Sequence, residues 1–107
     1  MMGLFLDDER NIEDVTWIKY PENIDWTIVR CASDFRIAIL CNYYDIISFD
    51  HDLQDFRPDG KEETGYDCLK SLLNSSQSPP ICVFHSKNII GKENMEQYYK
   101  NYLKYCV

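Results

Sequence analysis

The sequence predicts an α/β fold: a small three-layer sandwich around a four-stranded parallel sheet in the order 2-1-3-4, with residues 1–107 in a single domain. Three observations predict it. Short apolar runs alternate with segments of helical period, the pattern of right-handed β-α-β crossovers. Two of those runs, Leu4-Phe5-Leu6 and Ile46-Ile47-Ser48-Phe49, end abruptly in acidic residues and so deliver carboxylates to one edge of the sheet. The chain is long enough for one hydrophobic core, and its apolar fraction of 45% is that of a folded domain.

Residues 3–6 form the first strand, short and apolar. Residues 11–24 lack a clean period and carry Pro21 and Asn23, which fits a loop or one distorted helix. Trp26 to Cys31, β-branched and aromatic, is the second strand. Ser33 offers an N-cap to a helix whose apolar face is Phe35, Ala38 and Ile39. Ile46 to Phe49 is the third strand. Residues 53–63 are polar, contain the turn signal Pro58-Asp59-Gly60, and form a long loop just after an acidic run, where lids and binding loops belong. Thr64 caps a helix with the stripe Cys68, Leu69, Leu72 and Leu73, which ends over Ser75 to Pro79. Pro80 to Phe84 is the fourth strand. From about Lys92 a last helix places Met95, Tyr98, Tyr99, Tyr102, Leu103 and Cys106 on one continuous face. Strand order is flavodoxin-like, so strands one and three are neighbours and the ligand crevice opens between Asp7/Asp8 and Asp50/Asp52.

A formal net charge of -7 argues against polymeric nucleic acid and anionic membranes as partners. It leaves room for a small phosphorylated ligand, because a bound metal inverts the local field. No apolar run approaches a membrane span. The five cysteines, Cys31, Cys41, Cys68, Cys82 and Cys106, show neither C-x-x-C nor zinc spacing. An odd count without a secretory signal points to reduced thiols and a cytoplasmic setting.

Three motifs carry the chemistry. Asp7-Asp8-Glu9-Arg10 alone would be ordinary acidic capping of a helix start. Phe49-Asp50-His51-Asp52-Leu53, an acid, an imidazole and an acid at the end of an apolar strand, reads as a site rather than a solvated turn. Like charges held close repel unless a cation or proton neutralises them. Carboxylate oxygens suit Mg²⁺ or Mn²⁺, and imidazole extends the choice to Zn²⁺. The third motif, His85-Ser86-Lys87-Asn88 followed by Gly91, offers hydroxyl, amide and ammonium groups to a phosphate at a helix start. His51 and His85 are the two histidines of the chain, both at strand ends, and either suits general acid–base work near neutral pH.

Leu-Phe-Leu-Asp-Asp-Glu-Arg, Ile-Ser-Phe-Asp-His-Asp-Leu, Thr-Gly-Tyr-Asp and His-Ser-Lys-Asn-x-x-Gly-x-x-x-Met together resemble the cyclic-phosphate-processing receiver-like domains, in spacing and order over nearly the whole chain. The resemblance implies a receiver-like fold with an acidic pocket that binds or hydrolyses cyclic phosphates or cyclic nucleotides. By position it implies metal-binding acids at Asp7, Asp8 and Asp50 and a hydroxyl contact at Ser86. Arg10, His51, Asp52, Thr64, His85 and Asn88 follow that family's own pattern. Ile89-Ile90 depart from it where a proline is expected. The sequence ends after a fourth β-α unit, without the fifth strand and lysine of a phosphorelay receiver.

The leading expectation is a metal-dependent cyclic phosphodiesterase with His51, His85 and Asp52 as catalytic groups. Arg10, Thr64, Ser86, Lys87 and Asn88 hold the substrate, and Asp7, Asp8 and Asp50 the metal. Its setting would be a phage or bacterium in which cyclic nucleotides act as defence signals. The alternative is a non-catalytic binder that sequesters such a ligand. A receiver that accepts phosphate on Asp50 ranks third. Tyr98, Tyr99 and Tyr102 read as core-facing, Trp17 and Trp26 as core or rim packing, and an exposed part of the last helix as a homodimer face.

Overall fold

The computed structural model of the chain describes residues 1–75 and 78–105. In chain order the elements are β1 (Met2–Leu6), β2 (Asp25–Val29), α1 (Ala32–Cys41), β3 (Ile46–Phe49), β4 (Asp55–Phe56), β5 (Glu62–Glu63), α2 (Gly65–Ser75), β6 (Ile81–Phe84) and α3 (Ile89–Tyr105). The main sheet has the order β2-β1-β3-β6, and all three pairings are parallel. This is the expected order, with β6 as the fourth strand. Leu6 stands opposite both Val29 and Phe49, and Phe49 opposite Phe84, so β1, β2, β3 and β6 finish level.

Side chains alternate across a strand. Leu4, Leu6, Ile47, Phe49, Cys82 and Phe84 point to one face and build the core with Phe35 of α1, Cys68, Leu69, Leu72 and Leu73 of α2, and Met95 of α3. Tyr98, Tyr99 and Tyr102 pack against this core as their spacing predicts, whereas Leu103 is exposed. Cys106 lies outside the described residues. The opposite face carries Phe5 and Ser48 and is covered by the irregular segment between β1 and β2. Trp26 meets Phe5 edge-on, Tyr20 meets Trp26, and the Tyr20 hydroxyl reaches Ser48. The third layer is therefore a loop with one 3-10 turn, Ile12–Asp14.

Local chemistry moves three boundaries. Helix α1 starts at Ala32, and Ser33 is exposed in its first turn. The Ala32 amide instead donates to Asp55 Oδ2, 2.9 Å away across the fold. The polar stretch 53–63 contains the small antiparallel pair β4-β5, joined through the Pro58-Asp59-Gly60 turn, where Gly60 has a φ of 86°. Helix α3 starts three residues before Lys92, because Asn88 Oδ1 accepts the Gly91 amide at 3.0 Å and caps it. No helix among the described residues is long and apolar enough to cross a membrane.

Candidate functional site

Strand register builds the site. Asp7, Asp50 and His85 are each the first residue beyond β1, β3 and β6, and the parallel ladder continues through them. The Asp7 amide donates to Val29 O (3.2 Å), Asp50 to Leu6 O (2.9 Å) and His85 to Phe49 O (3.0 Å). All three side chains are buried, and a ligand-type atom of each lies within 4.8 Å of the other two.

Asp7 is the hub. Its Oδ1 accepts the amides of Glu9 (2.9 Å) and Arg10 (2.8 Å). Its Oδ2 accepts Arg10 Nη1 at 3.2 Å and meets His85 Nε2 at 3.0 Å. Burial alone would raise this carboxyl, but the hydrogen bonds from His85 and the two amides outweigh it and hold Asp7 well below the usual carboxylate range. Arg30, just past β2, donates to the carbonyls of Asp7 and Arg10 and to Asn11 Oδ1, which fixes the loop that presents Asp8 to Arg10.

His85 is fully buried, with its ring stacked on Phe5 at 4.5 Å between centroids. Its Nδ1 lies 2.7 Å from Ser48 Oγ, and Ser48 Oγ lies 2.7 Å from the Tyr20 hydroxyl. Nε2 faces the Asp7 carboxylate and Nδ1 the Ser48 hydroxyl, which in turn meets the Tyr20 hydroxyl, so the polar groups form one continuous row. Both ring nitrogens are thus committed inside the protein.

Asp50 and Asp8 stand in the opposite condition. Asp50 Oδ1 accepts the His51 amide at 2.9 Å and lies 3.9 Å from Arg10 Nη1, and no described residue donates to its Oδ2. Burial, then the Asp7 charge, raise its carboxyl above the ordinary value. Asp8 is half-buried and is raised by burial and by the charges of Asp7 and Glu9.

The remaining motif residues mainly support one another. His51 Nδ1 meets Asp52 Oδ1 at 3.0 Å, and Asn88 Nδ2 donates to both Asp52 oxygens at 3.3 and 3.1 Å. The His51 bond, ahead of the Asn88 contacts, lowers the Asp52 carboxyl. Ser86 Oγ accepts the Asn88 amide at 3.1 Å. Thr64 is drawn into helix capping: its amide donates to Asp67 Oδ2 at 2.9 Å, and its hydroxyl donates to the same oxygen at 3.1 Å. Two glycines permit these approaches. A Cβ on Gly65 would overlap the Asp50 carbonyl oxygen, and one on Gly91 would collide with the His51 ring.

Above the strand ends lies a cleft of about 190 Å³, lined by Asp7, Asp8, Glu9, Arg10, Asp50, Asp52, Gln54, Ser86, Lys87 and Asn88. Eight of the eleven residues singled out from the sequence line it. His51, His85 and Thr64 do not: His85 lies beneath the floor, His51 leans on the start of α3, and Thr64 caps α2.

A family model described as the cyclic-phosphate processing receiver domain matches residues 2–101. The chain belongs to that family. No curated protein and no solved structure matches it. Membership in the cyclic-phosphate processing receiver family agrees with the parallel sheet and with acids at the ends of its two central strands.

Tyr20, Arg30 and Ser48 belong to the site's support but to none of the three sequence motifs. For Ser48 a signal existed, since it is the one polar residue inside the buried strand Ile46–Phe49. Tyr20 and Arg30 gave none, because their roles depend on how an irregular segment and a strand end fold back over the sheet.

Proposed function

We propose that this cleft binds the phosphate of a cyclic nucleotide, or a related cyclic phosphate, together with a divalent cation, and hydrolyses the ring ester. The observation that carries the reading is the contrast among the acids. Asp7 is saturated with hydrogen bonds and held ionised, whereas Asp8 and Asp50 face the same cleft with raised carboxyls and open oxygens. A dication removes that strain, and an all-carboxylate donor set fits Mg²⁺ or Mn²⁺ better than Zn²⁺. Asp8 and Asp50 would hold it, with Asp7 behind them as an outer partner.

When bound, such a cation draws charge from the phosphoryl oxygens and makes a coordinated water nucleophilic. The protein's own groups do the rest. Arg10, between Asp7 and Asp50, and Lys87 take phosphate oxygens. The Ser86 oxygen already accepts the Asn88 amide, which directs its hydroxyl proton to a ligand. Asp52 lines the cleft, and the His51 and Asn88 contacts orient its carboxylate, so it takes the proton of the attacking water as the new P–O bond forms and returns it to the ring oxygen as the ester bond breaks. His51 and His85 act through Asp52 and Asp7 as positioning residues. The test is direct: with Mn²⁺ the protein converts cyclic nucleotides to linear monophosphates, and a chelator stops it. No product with any member of a panel of cyclic mono- and dinucleotides contradicts hydrolysis.

One observation favours a second reading, a sequestering protein: neither imidazole opens into the cleft. In that case ligand released by denaturation is chemically intact. Either activity would remove a cyclic-nucleotide defence signal in a phage or bacterium, in a cytoplasmic setting.

A further inference from the structure

Trp17 is 39% exposed, although it is among the largest apolar side chains of the chain. Its indole is not loose. Nε1 donates to the His85 carbonyl at 3.0 Å, which fixes the ring beside the wall formed by Ser86 and Lys87. Lys87 Nζ lies 4.3 Å from the ring centroid and the Arg10 guanidinium carbon 5.4 Å. These two residues are also the cations that line the cleft. The indole therefore lies next to the phosphate-binding charges, oriented and partly uncovered.

We propose that the face of Trp17 is a stacking platform for the base of a nucleotide whose phosphate occupies the cleft between Arg10, Asp50 and Lys87. The inference rests on the phosphate-binding reading above and narrows its ligand to a nucleotide. A cation over an exposed ring is held weakly. A phosphate is a stronger partner for an ammonium. Lys87 is exposed and carries its ammonium on a rotatable four-carbon stem, so an arriving phosphate draws it off the indole and clears that face. A base tethered to that phosphate through a ribose then reaches the ring. Every base has a π-face, so the platform selects for a base without choosing which one.

The test compares two probes on the folded protein with Mn²⁺: a ribose cyclic phosphate carrying adenine, and its methyl riboside, which has the same cyclic phosphate and no base. Dissociation constants are read by calorimetry, or KM where turnover occurs. The expected result is binding of both, with the nucleotide at least about tenfold tighter. Trp17→Leu should abolish that preference and leave the methyl riboside within about twofold, while Trp17→Phe retains most of it. If Trp17→Leu does not fold, indole fluorescence in a Trp26→Phe background decides: the nucleotide should change the Trp17 emission and the methyl riboside should not, and equal responses to the two probes overturn the stacking role. Equal affinity for the two probes, or equal loss of both in Trp17→Leu, overturns the stacking role and leaves the phosphate reading standing. If neither probe binds the wild-type protein, the phosphate reading fails and the platform fails with it.

Discussion

Gly65 at the start of α2 sits directly under the backbone carbonyl of Asp50, so close that a Cβ there would overlap the oxygen. The Gly65 amide donates to the next carbonyl, His51 O, at 2.8 Å. The turn that aims Asp50 into the cleft and the first residue of α2 are thus one packed unit.

Gly65→Ala should therefore destabilise the protein by about 3 kcal/mol or more, because the clash is with backbone that cannot swing away. Gly91→Ala meets the His51 ring, a side chain that can move, and should cost about 1–2 kcal/mol while pulling His51 off Asp52. Denaturant unfolding of both variants checks the order. A Gly65→Ala protein as stable as wild type contradicts it.

The Asp7–His85 contact should matter more than its single hydrogen bond implies. His85→Ala leaves a buried carboxylate short of a partner, and we expect a loss of about 3 kcal/mol. The pH dependence follows from the lowered Asp7 carboxyl. A depressed folded value stabilises the protein above the ordinary value of 3.8 and withdraws that support as pH falls below it. Asp7→Asn should flatten the acid limb of the stability curve below about pH 4. An unchanged limb in Asp7→Asn would show that Asp7 is not the group responsible.

The sheet was legible because its strands are written as continuous apolar runs, and the acids at Asp7, Asp8 and Asp50 were legible because those runs end on them. The limits have physical causes. His85 was readable as a strand-end histidine, but its burial depends on Phe5, Ser48 and Tyr20, which the fold collects from three separate segments. Asn88 and Thr64 also cap helices, a use that their ligand-type motifs do not reveal because the side chains that suit phosphates are the same ones that cap helices. The β4-β5 pair, two residues per strand, is too short to leave a periodic signal.

Divalent cations should stabilise the protein. Millimolar Mn²⁺ is expected to raise Tm by several degrees through preferential binding to the folded state. Asp50→Asn and Asp8→Asn should each remove most of that shift. Because both carboxyls are raised, protons compete with the metal, and the shift should begin to shrink above the ordinary carboxyl value of 3.8 as pH is lowered. No shift in the wild-type protein contradicts a metal site at these residues.

Thiol chemistry offers an independent check on the core. Burial pushes the Cys68 and Cys82 thiols up to about 12, whereas Cys41 is exposed. Among these three, Ellman's reagent should label Cys41 quickly in the native state, and Cys68 and Cys82 only on unfolding. A raised thiol favours the folded state below its ordinary value of 9.0, and that support is lost as pH climbs from 9 toward 12. Rapid native labelling of Cys68 would contradict the packing of α2.

Hydrolysis is tested most directly by a single-turnover experiment. Excess protein is incubated with Mn²⁺ and a cyclic nucleotide, quenched in acid, and the nucleotide is separated by chromatography. Wild type should convert it to the linear monophosphate, with a rate at least about a hundredfold lower in Asp50→Asn and Asp52→Asn. Cyclic nucleotide recovered intact from wild-type protein that demonstrably bound it would contradict hydrolysis and leave a protein that only holds its ligand.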